Sequence, residues 1–241
     1  MLYLLIKYQT YFIYEKILIS TLFIRGEKYM NTTENQNNKK IEEMKKEIFD
    51  MKERLKVIYK ERKESLGENH PDTLEPLADL ALCYHCLKND DKAFKIGNTI
   101  YNKRKKILGE KHPDTLNILY DLSVWYSDIN DYSKAIELAK EVYEKRKETL
   151  GVDNPDTLKS LSTLEYYYIT VENYTEAIKL ETIAYTIIKN TLGENNPYAL
   201  NSLSALASYY YYSKNYNKAL ELEKIVCDKK YRYLVRNIQI R

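Results

Sequence analysis

At 241 residues the chain is long enough to bury a sizeable core, and with 44% apolar and 30% charged residues it reads as a well-solvated globular chain. A formal net charge of +3 and a pI near 8.4 fall far short of the dense basic footprint that sequence-independent nucleic-acid binding needs, so no nucleic-acid partner is expected. Three cysteines, Cys83, Cys86 and Cys227, cannot all pair within one chain, which fits a reducing, cytoplasmic setting.

Residues 1–29 open with an apolar, aromatic run that Lys7, Glu15 and Lys16 break into pieces too short to span a membrane, which takes about 20 apolar residues. No small-residue cleavage motif follows, so a signal peptide is not expected either. Three readings stay open: an apolar helix packed on the rest, a peripheral membrane contact, or upstream sequence translated from a start chosen too early. The third is favoured. Arg25-Gly26-Glu27-Lys28-Tyr29 admits a purine-rich coding suited to ribosome binding just ahead of Met30, and the polar run after Met30 resembles an ordinary cytosolic N-terminus. A membrane partner is therefore not expected.

Residues 30–38 are polar and aperiodic, the mark of a flexible lead-in. From Lys39 to Leu66 the apolar residues Ile41, Met44, Ile48, Met51, Leu55 and Ile58 alternate spacings of 3 and 4, the seam of an amphipathic helix. Such a seam serves self-association or packing within the chain. Packing is the stronger reading, because Val57–Gly67 matches the segment that closes every later unit, which makes 39–66 the second half of a repeat.

Beyond that helix the chain punctuates itself. Gly67, Gly109, Gly151 and Gly193 recur every 42 residues, inside LGENHPDTL, LGEKHPDTL, LGVDNPDTL and LGENNPYAL. A fixed period of this size predicts a stacked array with repeats 67–108, 109–150, 151–192 and 193–235, followed by a tail at 236–241. Within the second repeat, His112 stands at an N-cap, Pro113 at the first helical position and Asp114 in the first turn, where a carboxylate offsets the helix dipole. Asn154 and Asn196 take the cap in the next two repeats. Leu119, Leu122, Trp125 and Tyr126 mark the inner face of a first helix, and Asn130-Asp131 a turn. Ala135, Leu138, Val142, Tyr143 and Leu150 mark a second helix, which Gly151 ends. Two antiparallel helices per repeat is the expectation.

Arg62, Arg104 and Arg146 each precede Asp72, Asp114 and Asp156 by ten residues, while the fourth repeat has Ile188 and Tyr198 instead. Their joint disappearance predicts an arginine–carboxylate clamp across each linker. Cys83-Tyr84-His85-Cys86 forms a C-x-x-C, but in mid-helix and without further ligands at metal spacing, so buried structural thiols are expected in place of redox or metal chemistry.

Leu77-x-x-Leu80-Ala81-x-x-Tyr84 followed by Ala93 is similar to the tetratricopeptide-repeat pattern, and Leu119/Leu122/Ser123/Tyr126/Ala135, Leu161/Leu164/Tyr168/Ala177 and Leu203/Leu206/Ala207/Tyr210/Ala219 repeat it. The 42-residue period and the LGxxHPDTL linker resemble the longer variety found in kinesin light chains and many bacterial proteins. The resemblance implies an all-α, right-handed α-solenoid of antiparallel helix pairs that serves as a scaffold. Its first helices would line a concave face.

By register with that motif the partner-binding positions are Glu75, Asp79 and His85 in the first repeat, and Asn117, Tyr120, Asp121 and Asp128 in the second. Lys159, Ser162 and Tyr166 follow in the third, and Asn201, Ser204, Ser208, Tyr211 and Tyr212 in the fourth. Where kinesin-light-chain-like repeats usually carry asparagine pairs that hold a peptide backbone, this chain has Ala78-Asp79, Tyr120-Asp121, Ser162-Thr163 and Ser204-Ala205. Aromatics with small polar groups suit an extended peptide.

The expected function is a non-catalytic scaffold for a peptide or partner protein; the alternative is a regulatory sensor of a small molecule or signalling peptide. No phosphate loop, metal-binding helix pair or His–acid pair beside a nucleophile is visible, so no enzyme activity, cofactor or metal is expected. The last helix is expected to run to about Leu234. Beyond it no polar capping helix is evident, which leaves three readings of the stacking face: covered by the tail, covered by another chain, self-association included, or exposed by a truncated gene.

Overall fold

The chain is described by a computed structural model over residues 34–239, with side chains over residues 39–231. The apolar segment 1–29 and the question of Met1 or Met30 lie outside the described residues. Helices α1 (Glu34–Leu66), α2 (Pro71–Cys86) and α3 (Asp90–Leu108) form one compact unit, which closes at Glu110. The second unit starts at Lys111 and holds α4 (Pro113–Asp128), α5 (Tyr132–Leu150), α6 (Pro155–Thr170), α7 (Tyr174–Leu192), α8 (Pro197–Tyr212) and α9 (Tyr216–Gln239). Among the described residues there is no strand, and none of the helices is long and apolar enough to cross a membrane.

Each helix begins and ends for a local reason. His70 and His112 accept the backbone N–H of Asp72 and Asp114 on Nδ1, each at 3.2 Å, while Asn154 and Asn196 accept from Asp156 and Tyr198 at 2.9 Å. A proline follows each cap at the first helical position, where its missing N–H costs nothing. Helices α1, α3, α5 and α7 each stop at a glycine, and Gly109 shows why. Its φ of 93° and ψ of 162° lie in a region that side chains all but forbid.

The turns between paired helices are tighter than their sequences suggest. Lys88, Asn130, Glu172 and Lys214 all adopt a left-handed φ between 58° and 66°. Asparagine tolerates that conformation, lysine and glutamate less well. Backbone bonds hold them there: Asp131 N–H reaches Tyr126 O at 2.9 Å and Asn130 N–H reaches Ser127 O at 2.9 Å, with equivalents in the other turns.

Packing runs from each helix to the next within each unit. In the second unit Ala135, Ala139 and Tyr143 of α5 meet Leu161, Leu164 and Tyr167 of α6 and Leu180 of α7, with Tyr126 and Tyr168 at the margin. Leu203, Leu206 and Ala207 of α8 meet Leu222 and Val226 of α9, with Tyr210 beside them. Ala135 and Ala177 are wholly buried, so a larger side chain there would push helices apart at about 1–3 kcal/mol.

Two boundaries differ from the sequence reading. Helix α1 begins at Glu34, inside the segment 30–38 expected to be flexible, because neither Gly nor Pro interrupts it and the helix that starts its seam at Ile41 extends backward without one. Helix α9 runs to Gln239, past the expected end near Leu234, again without a breaker.

Candidate partner-binding face

In the second unit the first helices of the pairs are α4, α6 and α8, and they stand side by side. Tyr120 of α4 meets Thr163 of α6, and Tyr209 of α8 meets Glu165 of α6. Along these helices the candidates sort by exposure. Tyr166, Tyr211 and Tyr212 present 43%, 58% and 60% of their surface. Asn117, Lys159, Ser162, Asn201 and Ser208 are exposed beside them, and Asp121, Asp128 and Ser204 are half-buried.

The tyrosines are pre-positioned by one another. Tyr211 packs edge-on against Tyr212 and Tyr216, with ring centroids at 5.7 and 5.4 Å, and Tyr174 stacks on Tyr212 at 5.4 Å. Tyr166 lies edge-on to the buried Tyr167 at 5.9 Å. Aromatic rings held this way lose little conformational entropy when a partner settles on them.

Two candidates do not belong to an open face. Tyr120 is only 8% exposed. The Lys159 ammonium lies 4.8 Å and the Arg146 guanidinium 5.3 Å from its ring centre, and its hydroxyl lies 3.0 Å from Thr163 Oγ1. Because Thr163 Oγ1 itself donates to Lys159 O, the Tyr120 hydroxyl is the donor between them. Burial pushes the Tyr120 phenol above its ordinary pKa, which keeps that proton in place. His85, in the first unit, is 6% exposed with Nδ1 2.8 Å from Asp90 Oδ1, so it ties α2 to the start of α3. Glu75 and Asp79, also on α2, are half-buried, and Glu75 lies 3.9 Å from Arg62.

The predicted clamps join the expected residues through a different atom. Arg62 Nη1 donates to the backbone carbonyl of Asp72 at 2.6 Å, and Arg146 Nη1 to that of Asp156 at 3.1 Å. Both aspartate side chains stay exposed at their helix N-termini, so the expected arginine–carboxylate hydrogen bonds are corrected to arginine–carbonyl bridges, while the Asp156 carboxylate still attracts Arg146 by charge. Pro76 sharpens the point. It has no N–H for the Asp72 carbonyl four residues back, and Arg62 supplies the missing donor. Arg146, 4% exposed, also donates to Ser160 Oγ and Asn117 Oδ1, each at 2.7 Å. Arg104 and Asp114 fall in different units.

Before α8, where Ile188 and Tyr198 break the arginine pattern, two buried acids stand instead. Glu165 of α6 accepts from Tyr209 Oη at 2.9 Å, Glu181 of α7 accepts from Ser202 Oγ, and the two carboxyls hydrogen-bond to each other. Burial pushes both carboxyls above their ordinary range, Glu181 to about 8. Reading the helices as solvated outside their apolar stripes missed this pair. Comparing repeats with one another would have found it: the positions of Glu165 in the other repeats are Ala81, Ser123 and Ala207, and those of Glu181 include Gly97 and Ala139.

A family model for the tetratricopeptide repeat matches residues 91–148 and 166–224. These two stretches are tetratricopeptide repeats. The crystal structure of a Podosopora anserina protein named for kinesin light chain, with nearly identical TPR-like repeats, superposes at a TM-score of 0.64 with 24% identity, covering 82% of this chain and 90% of that one. A variant of that same protein gives 0.63 at 24% identity, over 83% and 91% of the two chains. The BtubC (BKLC) structure from P. vanneervenii gives 0.59 at 16% identity, over 79% and 77%. These are likenesses of fold. No curated protein matches the chain. Tetratricopeptide repeats as a family serve protein–protein interaction.

Proposed function

We propose that this protein is a cytoplasmic, non-catalytic tetratricopeptide-repeat module that holds an extended peptide or partner protein on the faces of α4, α6 and α8, with 39–66 as a half repeat and 67–235 as its four repeats. The observation that carries this reading is the exposure of Tyr166, Tyr211 and Tyr212 on neighbouring first helices of one unit. A soluble protein gains nothing by leaving three large aromatic rings in water beside Lys159, Ser162, Asn201 and Ser208, whereas a bound peptide buries the rings and pairs with the polar groups. The buried acids of the second unit fit a structural role. Glu165 and Glu181 are buried behind the face, out of a substrate's reach.

The test is affinity capture from cells of the source organism with the full chain as bait. A retained protein that is lost on both Tyr166→Ala and Tyr211→Ala supports the reading. Stabilisation by a metabolite fraction, with no protein retained, would instead assign the chain to small-molecule sensing.

A further inference from the structure

Two joints, α1–α2 and α5–α6, share one plan, and the α7–α8 joint departs from it. Between α5 and α6 the buried Arg146 bridges the linker. Between α7 and α8 its place is taken by Ile188, and Ser202, at the position of Ser160, turns to Glu181. Glu165 and Glu181 are each 8% exposed, and helices α6 and α7, which carry them, pack more sparsely than the other consecutive helix pairs of their unit. The groups that act on the two acids are Tyr209, Ser202 and the acids themselves; among the described residues neither α5 nor α9 sends a charge to them. Two facing carboxyls with no cation cannot both ionise in a dry site, so they hold a shared proton.

We propose that the Glu165–Glu181 pair is a proton-operated latch: with its proton it lies closed against α8, and on losing it the like charges draw in water, which opens the joint and displaces α8 together with Tyr211 and Tyr212. Only the consequence for the binding face rests on the function proposed above; the latch itself does not. Tyr209 is the link, since its hydroxyl is bound to Glu165 while Tyr211 stands two residues on along the same helix. Glu165 in turn adjoins Tyr166 in the chain.

The direction in pH follows from the sign of the shift. A carboxyl raised by burial contributes stability that is complete below the ordinary carboxyl range and is lost as pH climbs toward the raised value. Across that interval one proton favours the open state by up to about tenfold per pH unit, and the effect levels off above it.

Two measurements on the full chain test this. Infrared spectra of the native protein should show a protonated-carboxyl stretch at neutral pH that fades through about pH 8 and is missing from Glu181→Gln, whose amide stands in for the protonated acid. Trypsin cleavage at Lys214, between α8 and α9, should accelerate in the wild type relative to Glu181→Gln, approaching about tenfold from roughly pH 6.5 to 8. A cleavage ratio that does not change with pH overturns the latch. Should Glu181→Gln fail to fold, the absence of a protonated-carboxyl band in wild type at neutral pH overturns it alone.

Discussion

Replacing Arg146 by methionine, which keeps the length of the stem and removes the charge, isolates what a linker bridge contributes. Arg146 makes three hydrogen bonds, to Asp156 O, Ser160 Oγ and Asn117 Oδ1, and lies over Tyr120. Hydrogen bonds to charged groups contribute about 1.5–3 kcal/mol each, but the sum overstates the loss. Ser160 Oγ still donates to Asp156 O at 2.9 Å, and the exposed Asn117 recovers water, so few groups are orphaned. The desolvation that lowers the Arg146 pKa is also relieved. A net loss of about 2–3 kcal/mol remains. Arg62→Met is the comparison, since Arg62 makes one such bond from a half-exposed position and should cost about 1 kcal/mol or less. Urea unfolding of both variants beside wild type measures the difference. Equal losses would refute the claim that burial and bond count set the strength of each joint.

Two further substitutions and one reactivity follow from the geometry. Gly151→Ala should destabilise by about 1–3 kcal/mol from backbone strain, and by more than Gly193→Ala, because its new Cβ would lie 3.3 Å from Asp153 Oδ1 whereas Gly193 faces open space. Denaturant midpoints showing both variants as stable as wild type would contradict the reading of these glycines. Cys227, exposed, should react rapidly with a thiol reagent at neutral pH, and Cys83, buried with its pKa pushed up to about 12, only on unfolding. Rapid modification of Cys83 in the native protein would restore the redox reading of the C-x-x-C.

How far the sequence could be read depended on whether one helix or several decided the answer. The recurring glycines, prolines and caps act within a few residues, and so the helices from Pro71 to Tyr212 were legible from local chemistry. The ten-residue spacing of Arg62 and Arg146 to their aspartates named the right partners. Which oxygen would accept was not legible, because it turned on the solvation of Asp72 and Asp156 and on the N–H that Pro76 lacks. Tyr120 and His85 were misplaced for a related reason: register on one helix says which way a side chain faces, and not that Lys159 or Asp90 of another helix will cover it. The acids Glu165 and Glu181 are invisible one at a time, since a lone glutamate on a helix is ordinarily solvated.

The most direct test of the central claim is a binding map. A peptide selected from a displayed random library against the intact protein should lose about tenfold or more in affinity on Tyr166→Ala and on Tyr211→Ala, as aromatic anchors do. The exposed second-helix controls Lys140→Ala and Lys179→Ala should leave its affinity unchanged. Peptides that ignore both tyrosines and depend on the lysines would contradict the account.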